Sequence, residues 1–161
     1  MDYEKVGRAI IKSNYYLTLA TTDGKAPWIA PLFYAIDDKY NFYFISRTDS
    51  LHGRHILKNP NVAIAIFDST QLPGTATGLQ IEAKASLASL KDYTGIIRLF
   101  LKKAYKNETE RTKHSGSWFD SLKKAFKQRI FKLEPKSFYM PDEECWQKHN
   151  VDRRKEVKLR D

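Results

Sequence analysis

The stretch FYFISRTDSLHGRHILKNPNVAIAIFD, residues 42–68, holds two strands joined by a turn and a short helix. Aromatic residues from Tyr40 to Ser46 favour the first strand. The chain then turns through Arg47-Thr48-Asp49. Either Asp49 or Ser50 can cap a helix over about Leu51 to Lys58, and Asn59-Pro60 stops it. The near-continuous apolar run VAIAIF, within Asn61 to Asp68, reads as a central strand. Free amides and the positive dipole end of a helix N-terminus bind phosphate well. Here they are joined by the hydroxyls of Ser46 and Ser50, the guanidinium groups of Arg47 and Arg54, and His52. Gly53 removes a side chain where the helix must lie close to another element. A capped connecting helix with surface bases explains the same spacing equally well.

Outward from this stretch the period changes twice. Val6, Ile10 and Ile11 place an amphipathic helix between Asp2 and Ser13. Tyr15 to Thr22, the Asp23-Gly24 turn, Trp28 to Ile36, the Asp37-Asp38 turn and Tyr40 to Ser46 read as a meander. Within APWIAPLFY, residues 26–34, Pro31 removes a ladder donor, which either marks an edge strand or frees backbone for a planar ligand flanked by Trp28 and Phe33. Ser69 to Thr77 is a loop and Leu79 to Leu90 a long strand, on which Gln80 can hydrogen-bond to a ligand. Beyond Lys91, the stripe Tyr93, Ile96, Ile97, Phe100, Leu101 and Ala104 is helical, and a second helix is expected over Trp118 to Phe126. Gln128 to Tyr139 reads as one more strand. The tail from Pro141 is polar, with Trp146 as its main apolar anchor. About six antiparallel strands and three or four helices result, a mainly β chain that suggests a small closed or split barrel. Residues 1–161 read as one domain with a helical insertion over about 91–127 and a tail over 141–161.

Composition bounds the function. Lys and Arg number 28 against 19 Asp and Glu, a net charge of +9. Up to residue 90 there are 9 bases and 8 acids, and beyond it 19 and 11, so the excess lies in the C-terminal part. An anionic ligand, nucleic acid or an acidic surface suits such charge, and a solvated Lys-rich helical face is the simpler reading of it. Trp118 and Phe119 stand beside Lys123, Lys124, Lys127 and Arg129. Trp118, Leu122 and Phe126, however, recur at the spacing of a core-facing stripe, so nucleic acid is the weaker reading. No run reaches the roughly 20 apolar residues of a spanning helix, and the N-terminus lacks the apolar core of a signal peptide. One cysteine, Cys145, suits a reducing compartment, so a soluble cytoplasmic protein with no membrane partner is expected. Cys145 and His149 are two potential metal ligands without a third, so no metal site is expected.

In ordered combination, LATTDGKAPWIAPLFY (19–34), FISRTDSLHGRHILKNPNVAIAIFDS (44–69) and GLQIEAKASL (78–87) resemble the pyridoxamine 5′-phosphate oxidase-like flavin-binding split barrels. The resemblance implies a six-stranded antiparallel Greek-key split β-barrel, a homodimer, and FMN held in two symmetric clefts at the subunit interface. Carried over by position, Ser46, Arg47, Ser50 and His52 meet the phosphate, while Pro31, Leu32 and Phe33 lie along the isoalloxazine. His52 stands where many members have Lys, so its charge depends on pH. Ala30 stands where the oxidase itself has a phosphate-binding Arg, a role that Arg54 could take. Ala83 replaces a common glycine. The tail VDRRKEVKLRD lacks the Arg-Leu-His-Asp-Arg-like substrate motif of the true oxidase. The function implied is therefore an FMN-dependent oxidoreductase acting on some other small molecule, with no side chain marked as catalytic. A flavin module without turnover, a deazaflavin or heme protein, and a basic nucleic-acid-binding barrel are the alternatives.

Overall fold

The Asp23-Gly24 turn, with Gly24 at a φ of 92°, joins β1 (Tyr16–Thr22) to β2 (Pro27–Phe33). The computed structural model describes residues 1–72, 77–124 and 127–160, and their side chains except those of 119 and 121–124. Six further strands are β3 (Ala35–Ile36), β4 (Phe42–Arg47), β5 (Asn61–Phe67), β6 (Gly78–Leu87), β7 (Gln128–Pro141) and β8 (Arg154–Glu156). Every pairing is antiparallel, in the order β2-β1-β5-β6-β7-β4-β3, with β8 added to β7. The two ends of this path, β2 and β3, are separated in the chain by Tyr34 alone. The sheet therefore curls until its ends meet, and a seam without a ladder stays open between β2 and β4. This is a mainly β split barrel with flanking helices, built from six long strands and two short ones.

Alternate residues fill it. Leu17 and Leu19, Ile64 and Ile66, Ile81, Leu133 and the stacked pair Phe44–Phe131 point inward and are buried. α1 (Tyr3–Ser13), capped by Asp2, adds Tyr3, Ile10 and Ile11 to this core. α2 (Leu51–Lys58) adds Ile56. A second cluster lies outside the barrel wall, where α3 (Tyr93–Ala104) lays Ile96, Ile97, Phe100 and Leu101 on Ala35, Tyr43 and Ile130. Each of these four buried side chains stabilises by about 2 kcal/mol. Trp118 of α4 (Glu108–Lys124) stacks on Phe100 at 5.5 Å, so it packs as the stripe predicts. The Leu122 and Phe126 positions of that stripe, with Phe119, Lys123, Lys124 and loop residues 73–76, lie outside the described residues or side chains. Among the described residues, no helix is long and apolar enough to cross a membrane.

Three expectations need correction. The strand expected over Trp28 to Ile36 breaks at Tyr34, where the chain leaves β1 as partner and joins β4. Tyr34 is fully buried, and its hydroxyl donates to the Ile11 carbonyl at 2.6 Å. The helix expected from Trp118 begins at Glu108, because Asn107 accepts from the Glu110 amide at 2.9 Å and caps a polar first half without apolar period. In the tail, Trp146 on α5 (Glu143–His149) is 52% exposed. The anchors are instead Val157 and Leu159, at 4% and 2% exposure, beside and just beyond β8.

Candidate functional site

β4 carries Phe42, Phe44 and Ser46 on its inward face and delivers the chain to the turn at Arg47. Ser50 caps α2: its hydroxyl accepts from the Gly53 amide at 3.1 Å and donates to the Arg47 carbonyl at 2.7 Å. A Cβ at Gly53 would sit 2.5 Å from the Arg47 carbonyl oxygen and 2.8 Å from that of Thr48. Only glycine lets the helix seat so tightly on its own turn. The Leu51 and His52 amides, which have no carbonyl one turn back within the helix, stay available at its N-terminus.

Charge concentrates there. Arg47 grips the Asp49 carboxylate with two hydrogen bonds of 2.8 Å, and the Lys127 ammonium reaches the same carboxylate at 3.2 Å. Arg47 first, then Lys127, holds Asp49 well below the usual carboxylate range. Arg54 donates to the Asp49 carbonyl. Two cations thus hold one carboxylate, and a third holds the backbone carbonyl of the same residue. Ser46 Oγ and His52 Nε2 share a hydrogen bond of 2.7 Å, with the imidazole edge-on to Phe44. Burial, and secondarily the nearby His55, push His52 below its ordinary value, so the ring is neutral at pH 7. His55 is itself buried, with Nδ1 at 3.2 Å from the Thr21 hydroxyl.

The two sequence-predicted segments come together across the seam. In the β3–β4 register Ala35 opposes Tyr43 and Ile36 opposes Phe42. Continued past Tyr34, that register sets Pro31, Leu32 and Phe33 against Arg47, Ser46 and Ile45, where the strands splay and no ladder forms. β2 is the edge strand that a proline favours. Leu32 pairs with Leu17 and faces inward; Pro31 pairs with Thr18 and faces outward. The Phe33 ring packs among Tyr15, Tyr16, Phe100 and Trp118, at centroid distances of 6.0–6.4 Å, under the α3–α4 pair. Trp28 pairs with Thr21, past the end of β4 and toward α2. Gln80 is not brought to the seam. It pairs with Tyr139 on β7, ten residues along from Arg129, which pairs with Ser46. Those ten residues are about 33 Å of strand.

A family profile described as pyridoxamine 5′-phosphate oxidase matches residues 4–140. The chain belongs to this family. A UPF0306 protein of Pasteurella multocida is 31% identical over 77 residues, which cover 47% of this chain and 52% of that relative. The chain therefore spans about half the length of the curated relative it matches. HutZ, the heme storage protein of Vibrio cholerae, superposes with a TM-score of 0.64 at 19% identity, over 84% of this chain and 92% of its own. A FAD-binding protein of Mesorhizobium loti superposes at 0.59 with 15% identity, over 83% and 87%. These two likenesses are of fold. Against the oxidase-family frame, sequence reasoning missed two contributors to the turn. Lys127 reaches Asp49, and Arg129 stands directly opposite Ser46 on the neighbouring strand. Their signal is the β4–β7 register, which links positions some eighty residues apart and leaves no local pattern.

Proposed function

We propose that this member of the pyridoxamine 5′-phosphate oxidase family binds FMN along the seam between β2 and β4 and is a flavin-dependent oxidoreductase acting on a small molecule. The observation that carries the reading is the seam itself. It sets the proline-bearing, donor-poor edge of Pro31–Phe33 beside the Ser46–Arg47 end of β4, with a cationic, glycine-seated helix turn next to it. These residues fit the cofactor. Ser46, Ser50, Arg47 and the first amides of α2 suit a phosphate, and Arg54 supplies the charge that Ala30 does not. Arg54→Ala leaving FMN affinity unchanged would remove that last assignment. The edge of β2 offers backbone groups to a flat ring system. When bound, the flavin supplies hydride or electron transfer, while the chain binds, orients and shields it. The lone Cys145 supports a reducing, cytoplasmic setting.

The reading includes a homodimer. The outward face of β2-β1-β5-β6 carries Thr18, Ala20, Ala63 and Ala65, flanked by Ile29 at 64% and Phe67 at 53% exposure. Small side chains let a second copy approach closely, and flanking apolar ones reward it. Gln80 lies on this face, opposite Ala65, so it would join the site from the second copy.

Heme is the second reading, favoured by the fold shared with HutZ. It is the weaker one, because His52 and His55 each hold a hydroxyl through a ring nitrogen. The deciding measurement is the visible spectrum of the purified protein before and after FMN addition and desalting. One retained FMN per chain supports the proposal, and reduction by NADH or NADPH with reoxidation by an added acceptor supports turnover. A Soret band, or a colourless protein that does not retain FMN, overturns it.

A further inference from the structure

At the far end of the barrel from the α2 turn, a cleft of about 1320 Å³ opens between α1, α3, the β3–β4 turn and the C-terminal segment. Asn41 on its wall just precedes β4, and Ser46 lies near the other end of that strand, five residues and about 16 Å away. Eight cationic side chains and three acids line it. We propose that this cleft is a second ligand site, which takes a small molecule carrying two or more phosphate groups.

The acids are largely committed. The Asp37 carboxylate accepts from the Lys39 and Asn41 amides, the Asn41 side chain and the Tyr43 hydroxyl. Glu134 pairs with Lys132 at 3.0 Å. Some of the cations are committed too. Arg160 donates to the Lys39 and Pro135 carbonyls and to Asn41, and Arg8 pairs with Glu4. Lys12 on α1, Lys102 in the last turn of α3 and Lys106 just beyond that helix have no acidic partner among the described residues. The C-terminal ends of α1 and α3 favour nearby lysines, which accounts for some of this clustering.

Lys103, also in the last turn of α3, is held by more than the helix end. Its ammonium lies 3.6 Å from the centre of the Tyr34 ring and donates to the Ile11 carbonyl at 3.3 Å. It is half-buried with neutral partners only, and burial pulls it down to about 8. A cation held this way, at the base of a wall of unpaired cations, gains most from an anion in the cleft. Lysine ammonium groups are point-charge partners for phosphate, and several around one concavity match several charges. The volume exceeds the roughly 300–1,000 Å³ of ordinary small-molecule pockets and accommodates a nucleotide-sized ligand. Lining residues come from α1, α3, the β3–β4 turn and the C-terminal segment, so one compact ligand can meet all four.

The test is calorimetric titration of the full chain with inorganic tripolyphosphate, alongside thermal melts. Wild type is expected to bind one tripolyphosphate and melt higher in its presence. Lys102→Glu with Lys106→Glu should weaken binding by about tenfold or more, while FMN retention at the α2 turn is unchanged. If that pair of changes lowers the melting temperature without ligand, Lys102→Gln with Lys106→Gln serves instead. Absence of binding, or equal binding by wild type and variants, overturns the proposal. So does binding lost in Arg47→Ala but kept in the α3 variants, which would assign the anion to the α2 turn. A single-stranded oligonucleotide that binds more tightly than tripolyphosphate overturns the small-ligand assignment.

Discussion

At Gly53 a single methyl group would meet two backbone carbonyls, at 2.5 and 2.8 Å, and neither can rotate away as a side chain could. Gly53→Ala must lift α2 off its turn. A loss of about 2 kcal/mol in a urea melt is expected, with FMN affinity falling in parallel because Ser46, Ser50 and Arg47 no longer converge. His52 is the turn's pH-dependent member. Its folded value lies below that of the unfolded chain, so on acidification below about 6.5 the unfolded state protonates first and the flavin-free protein loses stability. A phosphate beside the ring favours the imidazolium, so cofactor binding changes in the opposite direction. The ratio of wild-type to His52→Gln affinity for FMN should rise about tenfold from pH 8 to pH 5.5, measured by quenching of flavin fluorescence. The His52→Gln reference cancels the titration of FMN's own phosphate. A flat ratio would separate His52 from the phosphate.

Among the elements, the tail shows where local signals end. Helix α2 was legible because its evidence is contiguous: a capping serine before it, Asn59-Pro60 after it, and no need for any distant residue. The first half of α4 and the anchoring of the tail were not. ETERTKHSGS has no apolar period to reveal a helix, and a cap at Asn107 decides its start. Val157 and Leu159 sit in a stretch dominated by charge, and their burial comes from surfaces far away in sequence. Leu159 rests against Gly7 of α1 and Leu79 contributes to the same pocket, while Arg160 ties the end of the chain to Lys39, Asn41 and Pro135. Pro135 belongs to the irregular step where Glu82 pairs with Ser137 but Ala83 with Pro135, a bulge that accommodates a proline inside the long β7 strand. Tryptophan attracted attention by its size, yet burial decides energy. Leu159→Ala should cost about 2–4 kcal/mol, whereas Trp146→Ala should stay within about 0.5 kcal/mol. Chemical denaturation of the two variants compares them directly, and a larger cost at Trp146 would return the anchoring role to it.

For the whole molecule, closure of the sheet on itself leaves one outer face under helices and the other bare among the described residues. The α3–α4 pair covers the β3–β4–β7 side, where Tyr43 and Ile130 point outward. The β2-β1-β5-β6 side carries alanines and threonine at its centre, with no helix above them among the described residues. The phosphate-binding half of the candidate site was visible in the sequence because residues 46–54 are contiguous. Its remainder depends on register, which brings in Arg129 on β7 and Lys127 just before it, and, in the proposed dimer, on association, which would supply Gln80. That dependence makes the dimer testable through its chemistry as well as its mass. Ala65 is central on the bare face, with Thr18 and Gln80 as its cross-strand neighbours. An arginine there points outward, so it leaves the barrel core intact but sets a bulky charge against its own copy across a two-fold axis. Light scattering should give a dimer for the wild type and a monomer for Ala65→Arg, with the far-ultraviolet spectrum unchanged. The monomer should also release FMN on desalting, since it keeps the α2 turn but loses the second copy. Retention of FMN by a monomeric Ala65→Arg would show that the seam of a single chain suffices for the cofactor, and a dimeric Ala65→Arg would move the interface to another face.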